Sequence, residues 1–103
     1  MRIKIVPTAD SRSIGKLADA ELHFDEAPLA GLKLIGFGVW ERRTGGRNVT
    51  FPARSYSVNG ERRSFALLRP QEHPVHGLIS DAQNSVRDAI LAAFEAYEKE
   101  DGQ

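Results

Sequence analysis

Between Asn48 and Arg69 the chain reverses at Asn59-Gly60, and no other dipeptide in it restricts the fold as much. A two-residue hairpin loop that matches the twist of its strands needs positive φ at both central positions, which Asn and Gly adopt at least cost. That turn sets the register: Val58 faces Glu61, Tyr56 faces Arg63 and Arg54 faces Phe65. Side chains alternate along a strand, so Arg54, Tyr56, Arg63 and Phe65 project from one side. Guanidinium interleaved with aromatic ring suits gripping phosphate and stacking on a base. The same pattern also suits a half-buried strand with Phe65 and Leu67 in the core and arginines as its wet rim. Pro52 has no N–H for a ladder, so the first arm is expected to lie at an edge or carry a bulge there.

At 103 residues the chain is expected to form one domain, with strands within 2–69 and a helix over about 80–98. Its formal net charge is zero, which argues against a uniformly basic body. The charge is nevertheless polarised. From Trp40 to Pro70 seven arginines stand against two glutamates, a net +5; from Gln71 to Gln103 two basic residues stand against seven acids, a net −5. Every cation of the middle block is arginine, whose planar fork pairs bidentately with phosphate and stacks on rings. Cysteine is absent, so disulfides and thiol chemistry are excluded. The opening residues Met1 to Pro7 hold no apolar run suited to a signal peptide or membrane helix, and a cytoplasmic protein is expected.

Alternation predicts strands at Arg2–Val6 and Lys16–Phe24, the second with Ala18, Ala20, Leu22 and Phe24 on its apolar side. Leu32–Arg43 reads as a long strand with Ile35, Phe37 and Val39 on one face and Leu32, Leu34, Gly36, Gly38 and Trp40 on the other. Two glycines on one face predict a bulge or a close-packed neighbour. Turns are expected at Asp10–Gly15 and Asp25–Pro28, and a linker at Gln71–Gly77. Ser80-x-x-Gln83 is a capping box that starts a helix. Ala82, Val86, Ala89, Ile90, Ala93 and Tyr97, widened by Leu91 and Phe94, form its apolar stripe. Glu95, Glu98 and Glu100 oppose the helix dipole, so fraying is expected beyond Tyr97. The fold class is α+β: an antiparallel sheet of about five strands with one C-terminal amphipathic helix packed on it.

No nucleophile, base and oxyanion site assemble in the pattern, and no phosphate-binding glycine loop is present, so no enzyme activity and no cofactor are expected. His73 and His76 flank a proline without a third ligand and are not expected to bind metal. His23 is expected to face solvent, and Asp25-Glu26 reads as turn chemistry.

Asn48-Val-Thr-Phe-Pro-Ala-Arg54 and Val86-Arg-Asp-Ala-Ile-Leu-Ala-Ala-Phe94 resemble a strand motif and a helix motif of the SpoVG (stage V sporulation protein G, septation protein) family of small bacterial regulators. The similarity runs over most of Arg2 to Tyr97. It implies an antiparallel sheet with a C-terminal helix, a homodimer joined through strands, and binding to DNA or RNA in gene regulation linked to septation or sporulation. The family's basic pair after the proline segment is matched by Arg54, while Ser55 takes the second position; Ala66-Leu-Leu-Arg69-Pro70 lacks the family's aspartate and histidine. Gly38–Gly46 looks like an insertion bringing Trp40, Arg42 and Arg43. Together with the +5 block, the resemblance points to Arg54, Tyr56, Arg62 and Arg63 as a nucleic-acid contact surface, extended by Arg42, Arg43 and Arg47. The alternative is an interaction module that assembles through the sheet edge and the arginine-rich hairpin.

Overall fold

The computed structural model describes residues 1–8, 14–72 and 80–101. His73, Pro74 and His76, and most of the turn expected at Asp10–Gly15, lie outside them. Six strands and one helix follow in order: β1 (Arg2–Pro7), β2 (Lys16–His23), β3 (Lys33–Glu41), β4 (Arg47–Thr50), β5 (Ala53–Val58), β6 (Glu61–Ala66) and α1 (Asp81–Asp101). β1 to β4 form an antiparallel meander in chain order, and β5 and β6 form a separate two-stranded hairpin. The fold is α+β as expected, with six strands in two sheets rather than about five in one. Phe51-Pro52 makes the difference: it divides the first arm, leaving β4 to pair with β3 and freeing β5 for the hairpin. Pro52 supplies no ladder donor, and its buried ring occupies the break instead.

The core lies between the meander and α1. Ala18, Ala20 and Leu22 from β2, Phe37 and Val39 from β3, and Val49 from β4 are buried against Ile90 and Phe94. Ile3 and Ile5 of β1 pack onto this cluster from the side, as their alternation predicts. The helix approaches the edge strands β1 and β4 most closely, which places it in the hollow of a twisted sheet. Phe94 is central to this contact rather than marginal, whereas Ala82, assigned to the stripe by periodicity, is exposed.

Two neighbouring β3 residues exchange faces relative to expectation. Ala20 pairs with Phe37 but Leu22 pairs with Leu34, so β3 carries one extra residue across from Glu21. This bulge at Ile35-Gly36 turns Leu34 toward the core and leaves Ile35 58% exposed. Gly36 has φ of 107°, and a Cβ there would lie 2.8 Å from Cβ of Pro52. The glycine thus gives both the bulge and the close packing that its position predicts. Gly38 has a different neighbour: Trp40 lies over it, its indole N–H donating to Thr50 Oγ1 at 2.8 Å.

Ser80 caps α1 reciprocally. The Gln83 amide donates to Ser80 Oγ (3.1 Å), and the Ser80 amide donates to Gln83 Oε1 (3.3 Å). The helix continues past Tyr97 to Asp101, against the expectation of fraying there. Its acidic end is offset from two directions. Glu98 receives a two-pronged pair from Arg47 of β4, and Lys99 lies 3.7 Å from Glu95 one turn earlier.

Candidate functional site

Asn59 and Gly60 have φ of 51° and 82°, the signs required by the tight mirror-image turn. Every pair of the hairpin has the register set by that turn, from Val58 opposite Glu61 to Ala53 opposite Ala66. Its base is closed by the Leu67 amide, which donates to the Pro52 carbonyl at 2.9 Å. Pro52 in turn rests on Gly36, so the hairpin is rooted at the bulge of β3.

Beyond that root the hairpin stands clear of the body. All of β5 and all of β6 except Ala66 are exposed. The radius of gyration is 15.1 Å, against about 13 Å for a compact chain of this size. The reading of Phe65 and Leu67 as core residues is thereby excluded: they are 39% and 55% exposed.

Strand alternation puts Arg54, Tyr56, Arg63 and Phe65 on one face together with Val58 and Glu61. Tyr56 and Phe65 lie diagonally across the ladder with ring centroids 5.8 Å apart, and Arg54 and Arg63 flank them. Glu61 Oε2 accepts from Arg63 Nη2 at 3.1 Å, which partly neutralises that cation. Arg62, grouped with these residues from sequence, pairs with Ser57 and projects from the opposite face among serines.

The three extending arginines do not join this face. Arg42 and Arg43 follow β3, and Arg47 opens β4, whereas the hairpin root follows the other end of β4, ~13 Å away along the strand. Arg42 is exposed, with Nη2 3.4 Å from Asn48 Oδ1. Arg47 has a structural role. Its guanidinium grips Glu98 of α1 and sits 4.9 Å from the centre of the Phe94 ring, tying β4 to the helix. Both charges are about 40% exposed, so the ion pair and the ring contact together contribute about 1 kcal/mol. Fifty-one positions separate the partners, and no local pattern announces the pair.

A second polar cluster lies on β2 and β3. His23 Nε2 is 2.9 Å from Glu21 Oε1, and Lys33 Nζ is 3.4 Å from both Glu21 oxygens. His23 is thus engaged by a carboxylate rather than simply facing water. The hydrogen bond to His23, reinforced by Lys33, holds the Glu21 carboxyl below the usual carboxylate range despite some desolvation. A carboxyl whose folded pKa is depressed adds stability above its unfolded pKa and loses it as pH falls through the folded value. Glu21→Gln is therefore expected to unfold at lower urea than wild type at pH 7. The two midpoints should converge as pH drops below the carboxylate range. A gap that persists in acid would assign the loss to packing instead.

Among the described residues no group of three His, Cys, Asp or Glu side chains is arranged to hold a metal ion. No helix there is long and apolar enough to cross a membrane. No family model matches the chain, and neither a curated protein nor a solved structure matches it.

Proposed function

We propose that this chain is a small, non-enzymatic nucleic-acid-binding regulator of the SpoVG type, acting in the cytoplasm without a cofactor, and that the exposed hairpin is its contact surface. The observation that carries this reading is the gathering of Arg54, Tyr56, Arg63 and Phe65 on one solvent-facing side of the hairpin. Two arginines reach phosphates while two rings accept bases, a division of labour suited to unpaired DNA or RNA. The resemblance of Asn48–Arg54 and Val86–Phe94 to the septation family supports the same reading, and with it a role in septation- or sporulation-type gene regulation. The test is a titration with single-stranded DNA and RNA at two salt concentrations. Binding should be strong at low salt, weaken steeply with added salt, and fall in an Arg54→Ala, Arg63→Ala double variant. No binding at 20 mM salt would end the proposal.

A homodimer belongs to this reading. A two-stranded hairpin is marginal in water by itself, and both its outer edges present unpaired backbone groups. Pairing β5 or β6 with its counterpart in a second copy extends the hairpin to four strands and leaves both faces open. Sedimentation at micromolar concentration should show a dimer that persists as salt rises; a monomer would count against edge pairing.

The alternative, an assembly module, is favoured by the apolar residues of the same face, since Tyr56, Val58 and Phe65 are 39–42% exposed. In that case the arginine face meets acidic residues of another subunit's helix, and the assembly loosens as salt rises.

A further inference from the structure

Beside the hairpin root, β4 and α1 border a groove of about 260 Å³, lined by Asn48, Val49, Phe51, Gln83, Asn84 and Arg87. That is below the ~300–1,000 Å³ of sites for drug-sized ligands and suits a single ring system. We infer that this groove holds one unpaired base of the bound strand and reads its hydrogen-bonding edge, an inference that rests on the nucleic-acid reading of the hairpin.

The lining chemistry selects this ligand. Val49 and Phe51 supply an apolar wall, with Phe51 held edge-on against Phe37 at 5.2 Å. Two side-chain amides of α1, Gln83 and Asn84, face them, whereas Asn48 alternates with Val49 and projects from the other side of β4, where its oxygen accepts from Arg42. Asn84 offers both donors and an acceptor, the mixture presented by a base edge; a phosphate presents acceptors alone and would meet the Asn84 oxygen unfavourably. The Asn84 side chain has no hydrogen-bond partner among the described residues, and Gln83 uses its oxygen in the helix cap, leaving its NH₂ as donor. Arg87 adds a sharper indication. Its Nε is buried and meets no acceptor among the described residues, although Asp88 lies 3.7 Å from Nη2. A buried donor without an acceptor is costly, and a turn of the Arg87 side chain toward a base carbonyl in the groove would relieve it. Position completes the case: Phe51 is three residues from Arg54, so a strand whose phosphates lie on the hairpin can turn a neighbouring base into the groove.

Two measurements test the assignment independently of the hairpin. In the first, ¹⁵N-labelled protein is titrated with uridine, cytidine, adenosine and guanosine, which carry no phosphate. The side-chain NH₂ signals of Gln83 and Asn84 should shift with at least one nucleoside and not with ribose; silence toward all four overturns the inference. In the second, affinities for homopolymers and an abasic oligomer of equal length are compared in wild type and in Asn84→Leu and Arg87→Met, with folding checked by melting. Wild type should prefer one homopolymer over the abasic strand by about tenfold, and a folded variant should lose most of that preference while still binding the abasic strand. Unchanged preference in both variants would also overturn the groove. Nucleoside shifts without oligomer binding would uphold the groove and reject the hairpin proposal, whereas oligomer binding with silent amides would do the reverse.

Discussion

Gly36→Ala is expected to cost about 3 kcal/mol, because two separate penalties meet at this position. The first is conformational. At φ of 107° the backbone lies where a Cβ is strongly disfavoured, worth ~1–2 kcal/mol. The second is steric. The added carbon would lie 2.8 Å from Cβ of Pro52, a rigid and buried ring at the root of the hairpin, and overpacking of this kind costs ~1–3 kcal/mol. Against a total stability of ~5–15 kcal/mol the loss is large, and a fall in melting temperature on the order of 15 °C is expected. Gly31→Ala separates the two causes. Gly31 also has positive φ, 88°, but nothing lies within 4 Å of its Cβ position, so only the conformational penalty applies. Urea unfolding of both variants checks the argument: equal losses would show that Pro52 yields without cost and that the bulge does not seat the hairpin.

What the sequence reveals and what it hides divide along the range of the interactions. Asn59-Gly60 sets a register six pairs deep because the turn acts on its own backbone. Ser80 and Gln83 mark the helix start for the same reason. The β2 alternation is equally plain, since period-two burial needs only one wet face. The errors arise where distant segments decide. Pro52 was legible as a break in the ladder, but its transfer of β5 to a second sheet depends on its seat over Gly36, sixteen residues earlier. The extra β3 residue exchanged Leu34 for Ile35, and a bulge can be suspected from glycine without its effect on the neighbouring faces being known. Alternation alone would have separated Arg62 from Arg63. By contrast, nothing local shows that Arg47 is engaged by Glu98, or that the apolar side of β4 and the amides of α1 border one groove.

Replacing Arg54 and Arg63 together by alanine should change both the strength and the salt dependence of nucleic-acid binding. On a single strand each phosphate contact adds ~0.7 to the slope of log K against log salt, so the double variant should lose about 1.4 from that slope. If each contact vanishes near 1 M salt, the same slope corresponds to an affinity loss of about 25-fold at 0.1 M and about 200-fold at 20 mM. Tyr56→Ala should behave differently. Stacking is worth ~1–3 kcal/mol per base and is nearly independent of salt, so the line should drop without changing slope. Glu61→Gln should act in the opposite direction to arginine removal, since it releases Arg63 from its carboxylate partner. Arg47→Ala provides the control. That arginine grips Glu98 at the far end of β4, so its loss should lower stability by about 1 kcal/mol and leave the slope unaltered. Arg62→Ala decides whether one face or the whole hairpin is engaged, because Arg62 projects away from Arg63. A slope change from Arg62 or Arg47 as large as that from Arg63 would mean that bulk charge draws the strand in, and the arginine-aromatic face would lose its assignment.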